Sequence, residues 1–270
     1  MADRAQPLSP ALRGISAATG VALLVIALVP LGAVLVRAEG VPAFGPADWA
    51  ALRFTLSQAA VSAAFSILLA IPVARALARR RFPGRGLLIT LLGAPFILPV
   101  IVAVMGLLAI FGRAGVLNDA VGALGYERIS IYGFGGVVLA HVFFNLPLAV
   151  RLLLHGWFAI PAERFRLAAS LGFGTAEIKR YLERPMVWAI APGIFAAIFL
   201  ICLTSFAVAL TLGGGPKATT VELAIYQSFR FDFDLGRAAA LASVQLALCA
   251  VTALVAAQFA VPLGFGAGHD

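Results

Sequence analysis

The chain has 270 residues, of which 62% are hydrophobic and 12% charged, and its mean hydropathy is +1.01. Soluble domains carry about twice that charged share, so the composition excludes an ordinary soluble protein and points to a single-domain, all-α membrane protein with several spans. The formal net charge of +8 does not point to nucleic acid, because the basic residues lie in short clusters beside apolar runs, the arrangement that orients membrane helices.

Residues 1–14 form a short polar N-terminal segment with Arg4 and Arg13. The first apolar run, Ile15 to Val36, is long enough to cross a hydrocarbon core of about 30 Å and longer than a signal-peptide core. No small-residue cleavage site closes it, so it reads as a retained span, with a signal anchor as the alternative. Residues 37–53 hold Pro42, Gly45 and Pro46 and read as a loop.

The second span, Phe54 to Ala74, carries Ser57, Gln58, Ser62 and Ser66 at roughly helical spacing. Such residues serve helix packing through small polar groups, or Gln58 faces a permeation path. Arg75, Arg79, Arg80, Arg81 and Arg85 surround Phe82-Pro83-Gly84 and make the strongest topological marker.

The third span, Leu87 to Phe111, contains Pro95 and Pro99, which remove backbone donors and predict a kinked or unwound helix. Residues 112–132 read as a loop with one short helix. The fourth span, Gly133 to Leu154, places His141 and Asn145 on one helix face, where they bond a neighbouring helix or line a pore. The fifth, Met186 to Leu210, holds Thr204 and Ser205; the sixth, Ala238 to Phe259, holds Ser243 and Gln245. The candidate path lining is therefore Gln58, Asn145, Thr204, Ser205 and Gln245, a neutral set. Between the last two spans, Gly213 to Pro216 lacks the Gly-Lys-Ser/Thr ending of a phosphate loop, and Thr219 to Arg230 is partly amphipathic and reads as an interfacial helix. Residues 15–262 thus form one six-span domain, and 263–270 a tail.

With the N-terminus inside, thirteen lysines and arginines fall on inner segments and seven on outer ones. The excess places both termini in the cytoplasm, together with the segment 155–185. That segment is the longest polar interruption of its kind and reads as two short helices broken by a glycine turn. Pro161 suits the first helical position and Glu163 the first turn. Gly172 and Gly174 let the backbone turn, Thr175 caps a second helix with Glu177 in its first turn, and Pro185 ends that helix.

Residues 166–185 resemble the coupling motif of importer permeases of the ATP-binding-cassette (ABC) superfamily, in which E-A-A is followed by a glycine and then by I-x-L-P. Gly172 and Pro185 fall on the motif's glycine and proline at the expected separation, and Ala168 matches its second alanine. Arg166, Leu167, Leu182 and Arg184 depart from it. The resemblance implies a type I ABC importer permease fold, with six transmembrane helices and a cytoplasmic coupling-helix loop. It implies that Arg166, Leu167, Ala168, Ala169, Gly172, Gly174 and Pro185 dock onto a cytoplasmic ATPase.

The stretches 75–85, 97–115, 139–154 and 212–227 are similar, more specifically, to permeases of thiamine and thiamine-pyrophosphate importers, above all to the N-terminal half of a permease that joins two such halves. Related ferric-iron permeases share a similar glycine-rich segment, which leaves iron or another small solute as the alternative substrate. The implied partners are an ATPase dimer, an extracytoplasmic (periplasmic) binding protein, a second permease half, either an identical copy or a separate chain, and membrane lipid.

No catalytic or metal-ligand constellation is visible, so no enzyme activity and no cofactor are expected in this chain; ATP is used by the partner. Cys202 and Cys249 form no CxxC and read as small buried hydrophobes. An ion-coupled secondary transporter would place carboxylates within its spans, whereas all twelve acidic residues fall outside the predicted cores.

Overall fold

A computed structural model describes residues 10–37, 44–96, 98–213, 215 and 218–259. The polar segment 1–9, the tail 263–270 and the predicted loop residues Pro42, Gly214, Pro216 and Lys217 lie outside the described residues. The described regular structure is helical throughout. The α-helices are α1 (Pro10–Arg37), α2 (Pro46–Arg79), α3 (Arg85–Leu91), α4 (Val100–Phe111), α5 (Val116–Ala123), α6 (Phe134–Phe158), α7 (Ala162–Ser170), α8 (Thr175–Ile178), α9 (Arg184–Leu203), α10 (Phe206–Leu212), α11 (Val221–Arg230) and α12 (Leu235–Gln258). A 3-10 turn covers Ala94–Phe96, and a π-helical turn, Lys179–Glu183, joins α8 to α9.

Five segments are long and apolar enough to cross a membrane: Pro46–Arg79, Val100–Ala123, Phe134–Phe158, Thr175–Leu203 and Leu235–Gln258. The first predicted span lies within α1, whose apolar stretch, Gly14–Pro30, is shorter. Outward faces of the bundle are apolar, as a lipid-facing surface requires, with Leu68, Ile101 and Leu254 all exposed.

α2 outruns its predicted bounds at both ends. Pro46 opens it at a position where a missing N–H costs nothing, and Asp48 Oδ2 accepts from the Gly45 N–H at 2.9 Å. At about 1.5 Å per residue its 34 residues span about 50 Å, well beyond the hydrocarbon core, so both polar ends project. The central core gathers around it. Ala59, Ala63, Ala70 and Ala74 are fully buried, and their small side chains let α6 and α9 approach closely. Leu153 and Trp157 of α6 and Ile194 and Ile198 of α9 complete this cluster. A second cluster joins Phe54 to Val104, Val137, Val208 and Leu212. α11, the predicted interfacial helix, packs Val221 and Ala224 against Ala51 of α2 and Leu241 of α12.

The third predicted span is broken where its prolines stand. Pro95 lies in the 3-10 turn, and Pro99 precedes α4 as its N-cap. The apolar segment consequently begins at Val100 and continues through α5 rather than running from Leu87 to Phe111.

The fifth differs at both ends. The helix does not stop at Pro185 but runs on from α8 through the π turn into α9. The Arg184 N–H donates to Lys179 O, an i to i−5 bond, and this widened turn admits the proline ring without the clash that normally breaks a helix. At the other end the helix is interrupted at Thr204–Ser205 before α10.

Candidate functional site: a stapled helical turn and a polar helix break

The polar segment between α6 and α9 is a helix–turn–helix. Pro161 is the N-cap of α7 rather than its first residue, and Glu163 lies in the first turn. Glu163 pairs with Arg166 at 2.6 Å, both largely exposed, so this pair contributes little to stability. Leu167 and Leu171 are exposed too, whereas Ala168 is buried at 3%. Gly172 takes φ +71°, the left-handed region, and α7 closes on it with two bonds: Phe173 N–H to Ala168 O at 2.9 Å and Gly172 N–H to Ala169 O at 3.1 Å. This is the Schellman arrangement, which needs a residue without a Cβ penalty after the helix. Gly174 is the N-cap of α8; Thr175 is its first residue rather than its cap, and Glu177 lies in its first turn. Pro185 stands in the first turn of α9. The face presented by Arg166, Leu167, Ala169, Gly172 and Gly174 is open.

This element is fastened to the end of α2. Glu183, 2% exposed, receives Arg75 Nε on Oε2 at 2.6 Å and lies 3.2 Å from Arg79 Nε through Oε1. Arg79 also lies over the Phe165 ring of α7 at 5.1 Å. One arginine of α2 therefore touches both halves of the turn. Sequence reasoning missed Glu183 and treated Arg75 and Arg79 only as orienting charges. The available signal was their i, i+4 spacing on one helix face opposite a lone carboxylate at the edge of an apolar run.

The predicted path residues converge on the interruption between α9 and α10. A helix end leaves its last carbonyls without intrahelical donors, and here each of the four finds a side chain. Gln58 Nε2 of α2 donates to Cys202 O at 2.9 Å, and Gln245 Nε2 of α12 donates to Leu203 O at 2.8 Å. Thr204 Oγ1 reaches Leu200 O and Ile201 O at 3.4 and 3.3 Å. Asn145 Nδ2 donates to Cys202 Sγ at 3.3 Å, and His141 Nε2 meets Ser205 Oγ at 2.7 Å. Gln58, His141 and Asn145 are buried, Ser205 and Gln245 half-buried, and Thr204 exposed. Gln58 Oε1, Gln245 Oε1 and His141 Nδ1 have no hydrogen-bond partner among the described residues. The region is neutral, and among the described residues no group of three or more His, Cys, Asp or Glu could hold a metal ion. Cys202 and Cys249 are not bonded to one another.

The fold matches those of solved importers. It superposes on a chain of a bacterial alginate ABC transporter, in complex with an alginate pentasaccharide-bound periplasmic protein, with TM-score 0.69 at 15% identity, covering 92% of each chain. A second structure, of a bacterial ABC transporter that imports the acidic polysaccharide alginate, gives TM-score 0.67 at 16% identity over 92% of this chain and 93% of that one. The fold is that of an ABC importer permease.

In sequence the chain is similar to proteins named for thiamine. It is 44% identical over 264 residues to the thiamine transport system permease protein ThiP of Brucella abortus (strain 2308), covering 94% of this chain and 48% of that protein. It is 46% identical over 262 residues to ThiP of Escherichia coli (strain K12), covering 92% and 47%. Against ThiP of Haemophilus influenzae the identity is 37% over 211 residues, covering 78% and 39%. The chain spans about half the length of the first two relatives and about two fifths of the third. No protein-family model matches it.

Proposed function

We propose that the chain is one half of the membrane pathway of an ABC importer for thiamine or thiamine pyrophosphate. The observation that carries the substrate is the 44% identity to a thiamine transport permease over 94% of the chain. In this reading both termini, the Arg75–Arg85 turn and the 155–185 element face the cytoplasm, and a second permease half completes the pathway. Arg166, Leu167, Ala168, Ala169, Gly172, Gly174 and Pro185 frame a surface that docks on one protomer of an ATPase pair, and ATP is hydrolysed there. A periplasmic binding protein delivers the solute.

Gln58, Asn145, Thr204, Ser205 and Gln245 form the neutral lining at the helix break. The unpartnered oxygens of Gln58 and Gln245 supply acceptors for a solute bearing N–H or O–H groups. Transport then consists of discrete rigid-body states that open the lining to one side at a time. Cells lacking their own uptake system, supplied with this chain, its second half, the ATPase and the binding protein, accumulate labelled thiamine and do not accumulate iron. Iron uptake without thiamine uptake overturns the substrate.

A further inference from the structure

We infer that a cavity between α2 and the start of α9, beside the Glu183 staple, binds an anionic phospholipid. The cavity measures about 360 Å³. Its deeper wall is aliphatic, built from Ile67 and Ile71 of α2 and Val187 of α9. Its walls are apolar throughout, and Arg75, Lys179, Glu183 and Arg184 border it, with Lys179 and Arg184 exposed. Arg75 is already engaged by Glu183, and Arg79 adds a second cation to that carboxylate from outside the cavity lining. Lys179 and Arg184 make no ion pair among the described residues. Two exposed cations with no ion-pair partner among the described residues therefore border an apolar cavity.

Two tryptophans mark the same level. Trp188 is 66% exposed on α9, where an indole suits the boundary between hydrocarbon and headgroups. Trp157 is 5% exposed, borders the cavity, and its Nε1–H has no acceptor among the described residues. Free phosphate matches the cations but leaves the apolar wall bare, and a zwitterionic lipid covers the wall but brings no net charge for Lys179 and Arg184. An anionic phospholipid answers both, with its tail against the apolar wall and its headgroup beside the exposed Lys179 and Arg184. This goes beyond the transported solute and holds whichever solute is carried.

The chain contains three tryptophans, and the third, Trp49, lies at the opposite end of α2. In a Trp49→Phe background, emission therefore comes from the two cavity indoles alone. The full chain is reconstituted in phosphatidylcholine vesicles, and brominated phosphatidylglycerol or brominated phosphatidylcholine is added as quencher. Brominated phosphatidylglycerol is expected to quench at lower mole fraction than the choline lipid, and Lys179→Gln alone to weaken that preference about fivefold, the worth of one cation near a headgroup. Lys179→Gln/Arg184→Gln together should bring the two lipids to parity. Equal quenching by both lipids in the unsubstituted cavity overturns the site, since it would report ordinary lipid contact. Absence of quenching by either overturns it too, and assigns this face to a second protein chain. Loss of the preference on adding inorganic phosphate at constant ionic strength would assign a small-anion site instead.

Discussion

Glu183 is a carboxylate taken out of water with two guanidinium groups beside it, and the energetics of that arrangement are lopsided. Arg75 and Arg79 keep 38% and 35% of their side chains exposed, while Glu183 keeps 2%. Removing the carboxylate leaves two arginines that reach solvent, and screening makes that loss small. Removing the arginines leaves a buried, unpaired charge, which typically costs about 3–5 kcal/mol. Arg75→Ala/Arg79→Ala should therefore lower the thermal unfolding midpoint of the purified protein markedly more than Glu183→Gln does. Adding Glu183→Gln to the double variant should restore most of the loss. Equal destabilisation by both substitutions, with no restoration, would mean that the carboxylate is not held by these arginines.

The helix–turn–helix between α6 and α9 depends on one backbone geometry and on one open surface, and these can be separated. Gly172 has positive φ, and nothing lies within 4 Å of a Cβ added there. Asn and Asp both tolerate the left-handed region better than other side chains, so Gly172→Asn and Gly172→Asp should leave α7 similarly ended and the protein similarly inserted. They differ in charge. Gly172→Asp is expected to abolish substrate-stimulated ATP hydrolysis in the assembled transporter, and Gly172→Asn to retain much more of it. Normal transport by Gly172→Asp would remove the docking role from this turn.

The apolar runs made the spanning helices legible, because nothing but burial in lipid or protein explains their length. The break at Pro95 and Pro99 was legible too, since both residues lack the donor a helix needs. The run through Pro185 was not. A proline normally stops a helix, and the accommodation depends on one backbone bond, Arg184 to Lys179, that leaves no mark in composition. Glu183 was equally hidden, among Lys179, Arg180 and Arg184, where it looks like solvated surface; its partner Arg75 lies 108 positions away. Gln58, Asn145, Thr204, Ser205 and Gln245 could be picked out as polar residues in apolar runs. Their meeting at the end of α9 could not, because it depends on which helices are neighbours and in what rotation.

Across the whole molecule, α2 is tied at both ends to elements distant in sequence. At one end Asp48, 5% exposed, receives Arg237 of α12 at 2.8 Å, and the N-terminus of α11 donates through Val221 N–H to Thr55 Oγ1 at 2.9 Å. At the other end Glu183 meets Arg75 and Arg79. The two ends of α2 thus mark the two sides of the membrane in the proposed topology, and surface labelling tests it. A cysteine at Glu127, on the exposed connection before α6, should react with an impermeant maleimide added to intact cells. One at Gly174 should react only after the membrane is opened. The reverse pattern would invert the topology and with it the access of an ATPase to the turn.

The continuous helical path from Thr175 to Leu203 has two arms that meet where Glu183 is held by α2. The short arm, α8 and the π turn, comprises 4 and 5 residues and is about 13 Å long. The long arm, the 20 residues of α9, is about 30 Å long. A swing imposed on the short arm would arrive about twice as large at the far tip, by the ratio of these lengths. That tip is where Gln58 and Gln245 grip the Cys202 and Leu203 carbonyls. Motion would thus be delivered at full amplitude to contacts that depend on tenths of an ångström, and the surrounding helices would be obliged either to follow the tip or to release it.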